Sequence, residues 1–282
     1  MFDTARYYAF VLEAQARFGH EGAHFSPLRI FAAQKRRKPQ RQLIERVARR
    51  MAERGLAGAA PTVLEFGVYN GRSINILSRL FEGGRLYGFD TFTGFPDDGR
   101  ADWQLDFRVA GMPQVGANVE LVAGRFEDTL ALFVAAHPHE LAELRLVHVD
   151  CDIFSAAHCV FEALDEFIVP GCVIVFDELL NYDEFAENEL LAFYLFLARR
   201  GLDFEWFVTT GRAWPFGEAC AGRQPAGAFA GYREQGCYQN TSVIITAASD
   251  ATRSRLDPFL PLARELVSLR DLRQLVPAPR PV

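Results

Sequence analysis

Residues 63–73, VLEFGVYNGRS, constrain the fold more than any other stretch of this 282-residue chain, because an apolar β-type run ends in an acid and meets two glycines at a sharp turn. Val63 and Leu64 suit a buried strand, Glu65 stands where that strand stops, and Gly67 and Gly71 allow the backbone conformations of a tight turn. Ile74, Ile76, Leu77, Leu80 and Phe81 then recur on one helical face. Strand, loop and helix in this order form a unit of an open α/β sheet. There a ligand can rest on the exposed loop backbone while side chains at the strand ends select it.

The alternation continues. Residues 85–90 (RLYGFD) read as a second strand whose terminal Asp90 lies about 20 residues after the glycine turn, where α/β nucleotide folds accept hydrogen bonds from ribose hydroxyls. A turn-capping aspartate is the alternative. Residues 119–123, 144–150 and 172–176 supply three further strands. Helical stripes follow Gly124 and Phe154, and His158 on the second stripe is expected as a packed core histidine. Residues 183–200 read as one helix with Asp183, Glu184, Glu187 and Glu189 at its start and two arginines at its end, the sense its dipole favours. Those acids then need no catalytic explanation. Residues 204–209 and 241–246 are separated by a glycine-rich aromatic segment with no helical stripe, which predicts an antiparallel hairpin.

The expected fold is therefore α/β: a Rossmann-like, seven-stranded, mostly parallel sheet ending in an antiparallel hairpin, with helices on both faces. Residues 1–60 read as a helical extension (helices over 2–18 and 40–54), 61–249 as the ligand-binding domain, and 250–282 as a helix near 262–272 followed by a proline-rich tail. The extension can cap the crevice or pair subunits in a homo-oligomer, and simple packing is favoured over a substrate role.

An apolar content of 50% is ample for one main core. A formal charge of -6, with acids dispersed rather than blocked, argues against a nucleic-acid partner. The local basic patch from Lys35 to Arg50 reads as a solvated helix face. No apolar run approaches the ~20 residues of a membrane span, and the N-terminus has no cleavable apolar core, so a cytoplasmic protein without a membrane partner is expected. The five cysteines form no CxxC pair, which leaves buried free thiols as the default.

Glu65, Asp90, Asp150, Asp152, Asp177 and Glu178 each follow a strand, and the carboxyl ends of parallel strands share one edge of a sheet. A single shared site is expected there. Gly67 to Arg72 lacks the glycine pattern of a dinucleotide fingerprint, which disfavours a nicotinamide-dependent oxidoreductase. An acid just before the turn is also an awkward neighbour for pyrophosphate. A cationic, phosphate-free ligand such as S-adenosylmethionine suits the loop better. Phe92, Phe95, Trp103, Trp214 and Phe216 could line an acceptor pocket, and core packing explains them equally well.

EFGVYNGRS, GFDTFTGFP, LVAGRFEDTL, VHVDCD and PGCVIVFDE, in this order, resemble the successive motifs of class I S-adenosylmethionine-dependent methyltransferases. More narrowly, they are similar to macrocin-type O-methyltransferases, which modify sugar hydroxyls in antibiotic biosynthesis. The likeness spans residues 63–194. It implies that Glu65, Gly67, Gly71 and Ser73 hold the methionine part of the cofactor, Asp90 its ribose, and Arg125 and Phe126 its adenine. It implies Mg2+ on Asp150, Asp177 and Glu178, Asp152 as general base, and a small-molecule hydroxyl as acceptor. Two departures stand out: Asp177-Glu178 replaces the usual aspartate pair, and the residues after Asp152 read Ile-Phe-Ser-Ala-Ala rather than x-Tyr-Glu-Ser-Thr. A non-catalytic scaffold built on the same fold is the competing expectation.

Overall fold

A computed structural model of the chain describes residues 2–26, 39–94, 107–220 and 235–269. Its strands are β1 (Ala23–Phe25), β2 (Thr62–Phe66), β3 (Arg85–Asp90), β4 (Val119–Ala123), β5 (Leu144–Val149), β6 (Val173–Phe176), β7 (Leu202–Thr210) and β8 (Thr241–Ala247). The helices are α1 (Thr4–Arg17), α2 (Pro39–Glu53), α3 (Arg72–Leu80), α4 (Phe126–Ala136), α5 (Pro138–Ala142), α6 (Phe154–Ala163), α7 (Glu189–Arg200), α8 (Phe216–Cys220), α9 (Asp250–Ser254) and α10 (Leu260–Leu266).

One sheet carries all eight strands in the order β1-β7-β8-β6-β5-β2-β3-β4. Only β8 runs antiparallel to its neighbours, β6 and β7. The seven expected strands and the late antiparallel pair are present. The eighth, β1, adds in parallel to β7 at the edge, and its three residues are too few for a period-two pattern to register.

Strand alternation divides the core. Leu64, Phe66, Val147, Val149, Ile174 and Phe176 pack with α1, α6 and α7, while Val63, Leu146, Val173 and Val175 pack with α2 and α3. Both faces of the central strands are therefore covered, as parallel pairing requires. Glu65 follows Val63 by two, His148 and Asp150 follow Leu146 by two and four, and Asp177 follows Val175 by two. By the same period, all four belong to the α2/α3 face.

The N-terminal helices pack as part of this core. Asp3 caps α1 by accepting from the Arg6 amide, and Tyr7, Tyr8 and Val11 are fully buried. The indole Nε1 of buried Trp206 donates to the Ala14 carbonyl at 3.0 Å. On the other face, Leu43, Ile44, Val47 and Met51 of α2 are buried, while the Arg46 guanidinium lies 4.2 Å from the Phe25 ring centre and Arg50 lies 5.3 Å from that of Phe207. Arg46 and Arg50 of the basic patch thus lie on aromatic surface, Arg41 and Arg49 are exposed as on a solvated face, and residues 35–38 lie outside the described residues.

Two helix boundaries differ from the sequence reading. The helix expected from Asp183 begins at Glu189, because a single 3-10 turn at Phe185–Glu187 and the Asn188 backbone interrupt it. At the C-terminal end α10 covers Leu260–Leu266, and residues beyond 269 lie outside the described set. His158 is half-buried with its ring edge-on to Phe154 at 5.3 Å, away from the site. Cys151, Cys172 and Cys237 are buried free thiols and Cys159 is partly exposed. No helix among the described residues is long and apolar enough to cross a membrane.

Replacing Trp206 with Phe would strand the Ala14 carbonyl in the interior. Such a loss costs about 1–3 kcal/mol, so the urea midpoint of Trp206→Phe should fall while the slope of the transition is unchanged.

Candidate active site

The carboxyl ends of β2, β3, β5 and β6 surround a cavity of about 500 Å³. Gly67, Ser73, Asp90, Arg125, Phe126, Asp150, Asp152, Asp177 and Glu178 all line it. Residues brought from five separate stretches of chain thus meet at one opening. Glu65 and Gly71 do not line it, and Glu65 is fully buried beneath the floor.

The first loop is set by close backbone packing. Gly67 (φ +95°) donates to the Phe89 carbonyl at 2.9 Å, and the Asp150 amide donates to the Phe66 carbonyl at 2.8 Å. A Cβ on Gly67 would overlap the Asp150 carbonyl, so no other residue fits where β2 passes β5. Gly71 (φ +76°) then begins α3.

Asp90 is held by two backbone donors. The Tyr69 amide donates to Oδ2 and the Phe92 amide to Oδ1, each at 2.7 Å. A carboxylate has about four acceptor positions, so two remain for hydroxyls of a ligand in the cavity. Phe126, edge-on to Phe66 at 5.4 Å, and the Tyr69–Phe107 pair at 5.4 Å supply apolar walls. Phe92, Trp214 and Phe216 are instead buried in the core outside the cavity lining, so packing accounts for them. Phe95 and Trp103 lie outside the described residues.

The acids form the opposite wall. Asp150 accepts from Gln40 Nε2 at 3.0 Å, a contact that brings α2 to the site. Burial, then the Asp177 carboxylate, then Asp152, Glu65 and Glu178 push the Asp150 carboxyl well above its usual range. A carboxylate oxygen of Asp150, one of Asp177 and a ring nitrogen of His148 lie within 4.8 Å of one another. Hard oxygen donors and an imidazole converging at this spacing fit a divalent cation. Glu178 is buried beside Asp177.

Asp152 sits at φ +65°, a backbone state unusual for a non-glycine residue, and is only 7% exposed. Glu189, fully buried at the start of α7, accepts the amides of Cys151 and Asp152 through Oε1, each at 3.3 Å. Burial first, and then the Asp152 charge, raise the Glu189 carboxyl well above its ordinary range. Tyr69, Phe107 and Asp152 are three of the five described non-glycine residues with positive φ, and all three line the cavity, where local strain tends to concentrate.

Three participants escaped the sequence reading. His148 reads as part of an apolar strand, although its place two residues before Asp150 puts both on one face. Glu189 was assigned to the helix dipole, and Gln40 to a packing helix. Only the tertiary contacts separate these roles.

Residues 64–179 match the family model of a methyltransferase domain. Over these residues the chain carries a methyltransferase domain. The match runs from β2 to just beyond Glu178, so it contains most of the cavity wall. Among solved structures, the methyltransferase chain is similar to CalS11, a calicheamicin methyltransferase (25% identity over 62% of this chain and 79% of that one, TM-score 0.48). It is also similar to cofactor-bound Rv0187 from MTB (17%, 88% and 92%, 0.43). A third is MycE from the mycinamycin biosynthetic pathway in complex with Mg, SAH and mycinamycin VI (19%, 51% and 35%, 0.30). No curated protein gives a significant match.

Carboxyls with raised folded values bind protons that the unfolded chain has already released. Asp150 and Glu189 therefore make stability fall as pH rises from the ordinary carboxylate range to their raised folded values, by at most about 1.4 kcal/mol per pH unit for each group. The melting temperature of the metal-free methyltransferase should rise on mild acidification from neutrality, and Asp150→Asn should flatten that slope. Glu189→Gln, which keeps the acceptor oxygen, should retain the Asp152 loop, whereas Glu189→Ala should lose about 1–3 kcal/mol in urea unfolding.

Proposed function

We propose that the protein transfers the methyl group of S-adenosylmethionine to a hydroxyl of a small molecule, with a divalent cation and a carboxylate base assisting. The observation that carries this reading is the convergence of Asp150, Asp152, Asp177 and Glu178 on the cavity that Asp90 and the Gly67 loop also line. A scaffold has no use for several carboxylates held together against their mutual repulsion.

The cavity suits the cofactor in its chemistry. Asp90 would accept from the ribose hydroxyls with its unused lone pairs, Phe126 would face the adenine, and the Gly67 loop with Ser73 would hold the methionine part. When bound, S-adenosylmethionine supplies an electrophilic methyl on a sulfonium, and a divalent cation on Asp150, Asp177 and Glu178 lowers the pKa of an acceptor hydroxyl. The motif likeness favours magnesium as that cation. Asp152, fixed by Glu189 through its own amide, takes the hydroxyl proton as general base. Protein catalysis is otherwise positioning: the walls orient the nucleophile in line with the methyl and exclude water. The motif likeness to macrocin-type enzymes makes a sugar hydroxyl of a secondary metabolite the acceptor we favour. Nucleic acid and membrane are not partners in this reading, which places the enzyme in the cytoplasm.

Calorimetry should detect S-adenosylmethionine binding to the wild-type protein, weakened tenfold or more by Asp90→Ala. With an acceptor found by mass-spectrometric screening for methylated products, Asp152→Asn should lower kcat by about 10²–10⁴ while cofactor affinity holds. Absence of cofactor binding would overturn the reading.

A further inference from the structure

His148 is fully buried below the acidic wall, and only one side of its ring is accounted for. Its Nδ1 lies 3.0 Å from Glu65 Oε2, and the other Glu65 oxygen accepts from Ser73 Oγ at 3.0 Å. A carboxylate can only accept, so the ring proton sits on Nδ1 and Nε2 presents a lone pair. Among the described residues, Nε2 has no hydrogen-bond partner. Leaving a buried polar atom in this state is costly, and such atoms call for an explanation.

The surroundings supply one. A nitrogen of this ring and carboxylate oxygens of Asp150 and Asp177 lie within 4.8 Å of one another, and Nδ1 is already engaged. A metal-ligating histidine characteristically donates its second ring N–H to a carboxylate, which fixes the tautomer and raises ligand basicity. Glu65, fully buried and itself oriented by Ser73, occupies that outer position. Ligand atoms around one ion stand roughly 3–4 Å apart, given metal–ligand distances of about 2.1 Å, so modest inward movement would close the set.

We propose that His148 Nε2 completes a cation site with Asp150 and Asp177, and that this site prefers a first-row transition ion such as Mn2+, Fe2+ or Co2+ to Mg2+. The proposal rests on the reading above that the two aspartates hold a cation, and it changes the donor set and the ion. Mg2+ favours all-oxygen coordination, whereas imidazole beside two carboxylates suits transition ions. It also gives Glu65 a role away from the cofactor, consistent with its absence from the cavity lining.

Pulsed EPR of the Mn2+-loaded wild-type protein tests the ligand directly, and competition calorimetry tests the preference. The expected result is ¹⁴N coupling to Mn2+, affinity for Mn2+ at least tenfold above that for Mg2+, and a 10–100-fold loss of Mn2+ affinity in Glu65→Gln. His148→Gln should abolish the ¹⁴N signal. Mn2+ bound without ¹⁴N coupling and no tighter than Mg2+ would overturn the proposal and leave the all-oxygen site standing. No bound ion would overturn both metal sites, while cofactor calorimetry would still decide the methyltransferase reading separately. Because the decisive signals come from the wild-type protein, a variant that fails to fold does not rescue the idea.

Discussion

The adjacency of β2 and β5 at the middle of the sheet governs everything at the site. The chain leaves β2 towards β3 on one side and leaves β5 towards β6 on the other, so the two loops part at the strand ends. A crevice opens wherever strand order reverses in this way, and open α/β sheets bind ligands there. The approach is so close that the Gly67 backbone occupies the space a side chain would need against the Asp150 carbonyl. The same contact brings Glu65 alongside His148 in the strand register. One backbone packing event thus aligns the glycine loop, the acidic wall and the buried histidine.

Placing so many carboxylates together is unfavourable, and the surrounding structure shows how the cost is met. Gln40 donates to Asp150, Ser73 and His148 engage Glu65, backbone amides hold Asp90, and Glu189 takes two amides of the Asp152 loop. Burial first, and then the repulsion that remains from its anionic neighbours, raise the Asp150 carboxyl. Charge arranged in this way attracts a cation. In the proposed reading, a sulfonium and a divalent ion would each relieve it.

Much of the fold was legible in the chain because local rules suffice for it. Strands β3 and β4 fall on the residues read as strands from the sequence, and the acids end strands because a loop must begin where the apolar run stops. The late antiparallel pair was read from the lack of a helical stripe in the sequence between residues 210 and 241. Other features had no local signal. β1 is three residues long, α7 begins at Glu189 only because Asn188 takes a non-helical backbone, and β8 slots between β6 and β7 through pairings remote in sequence.

The sequence by itself determined where most of the strands and helices fall, that an acidic group closes each of four strands, and that a glycine loop of the methyltransferase kind follows the first of them. These are matters of period, propensity and motif, which act over a few residues. Only the tertiary structure decided that Glu65 turns away from the cavity to His148, that Glu189 at its helix start also holds the Asp152 loop, and that Gln40 reaches the site from α2. The physical reason is that a polar group's role depends on which partner stands opposite it, and strand register and helix docking set that across distances of 37 to 110 residues along the chain.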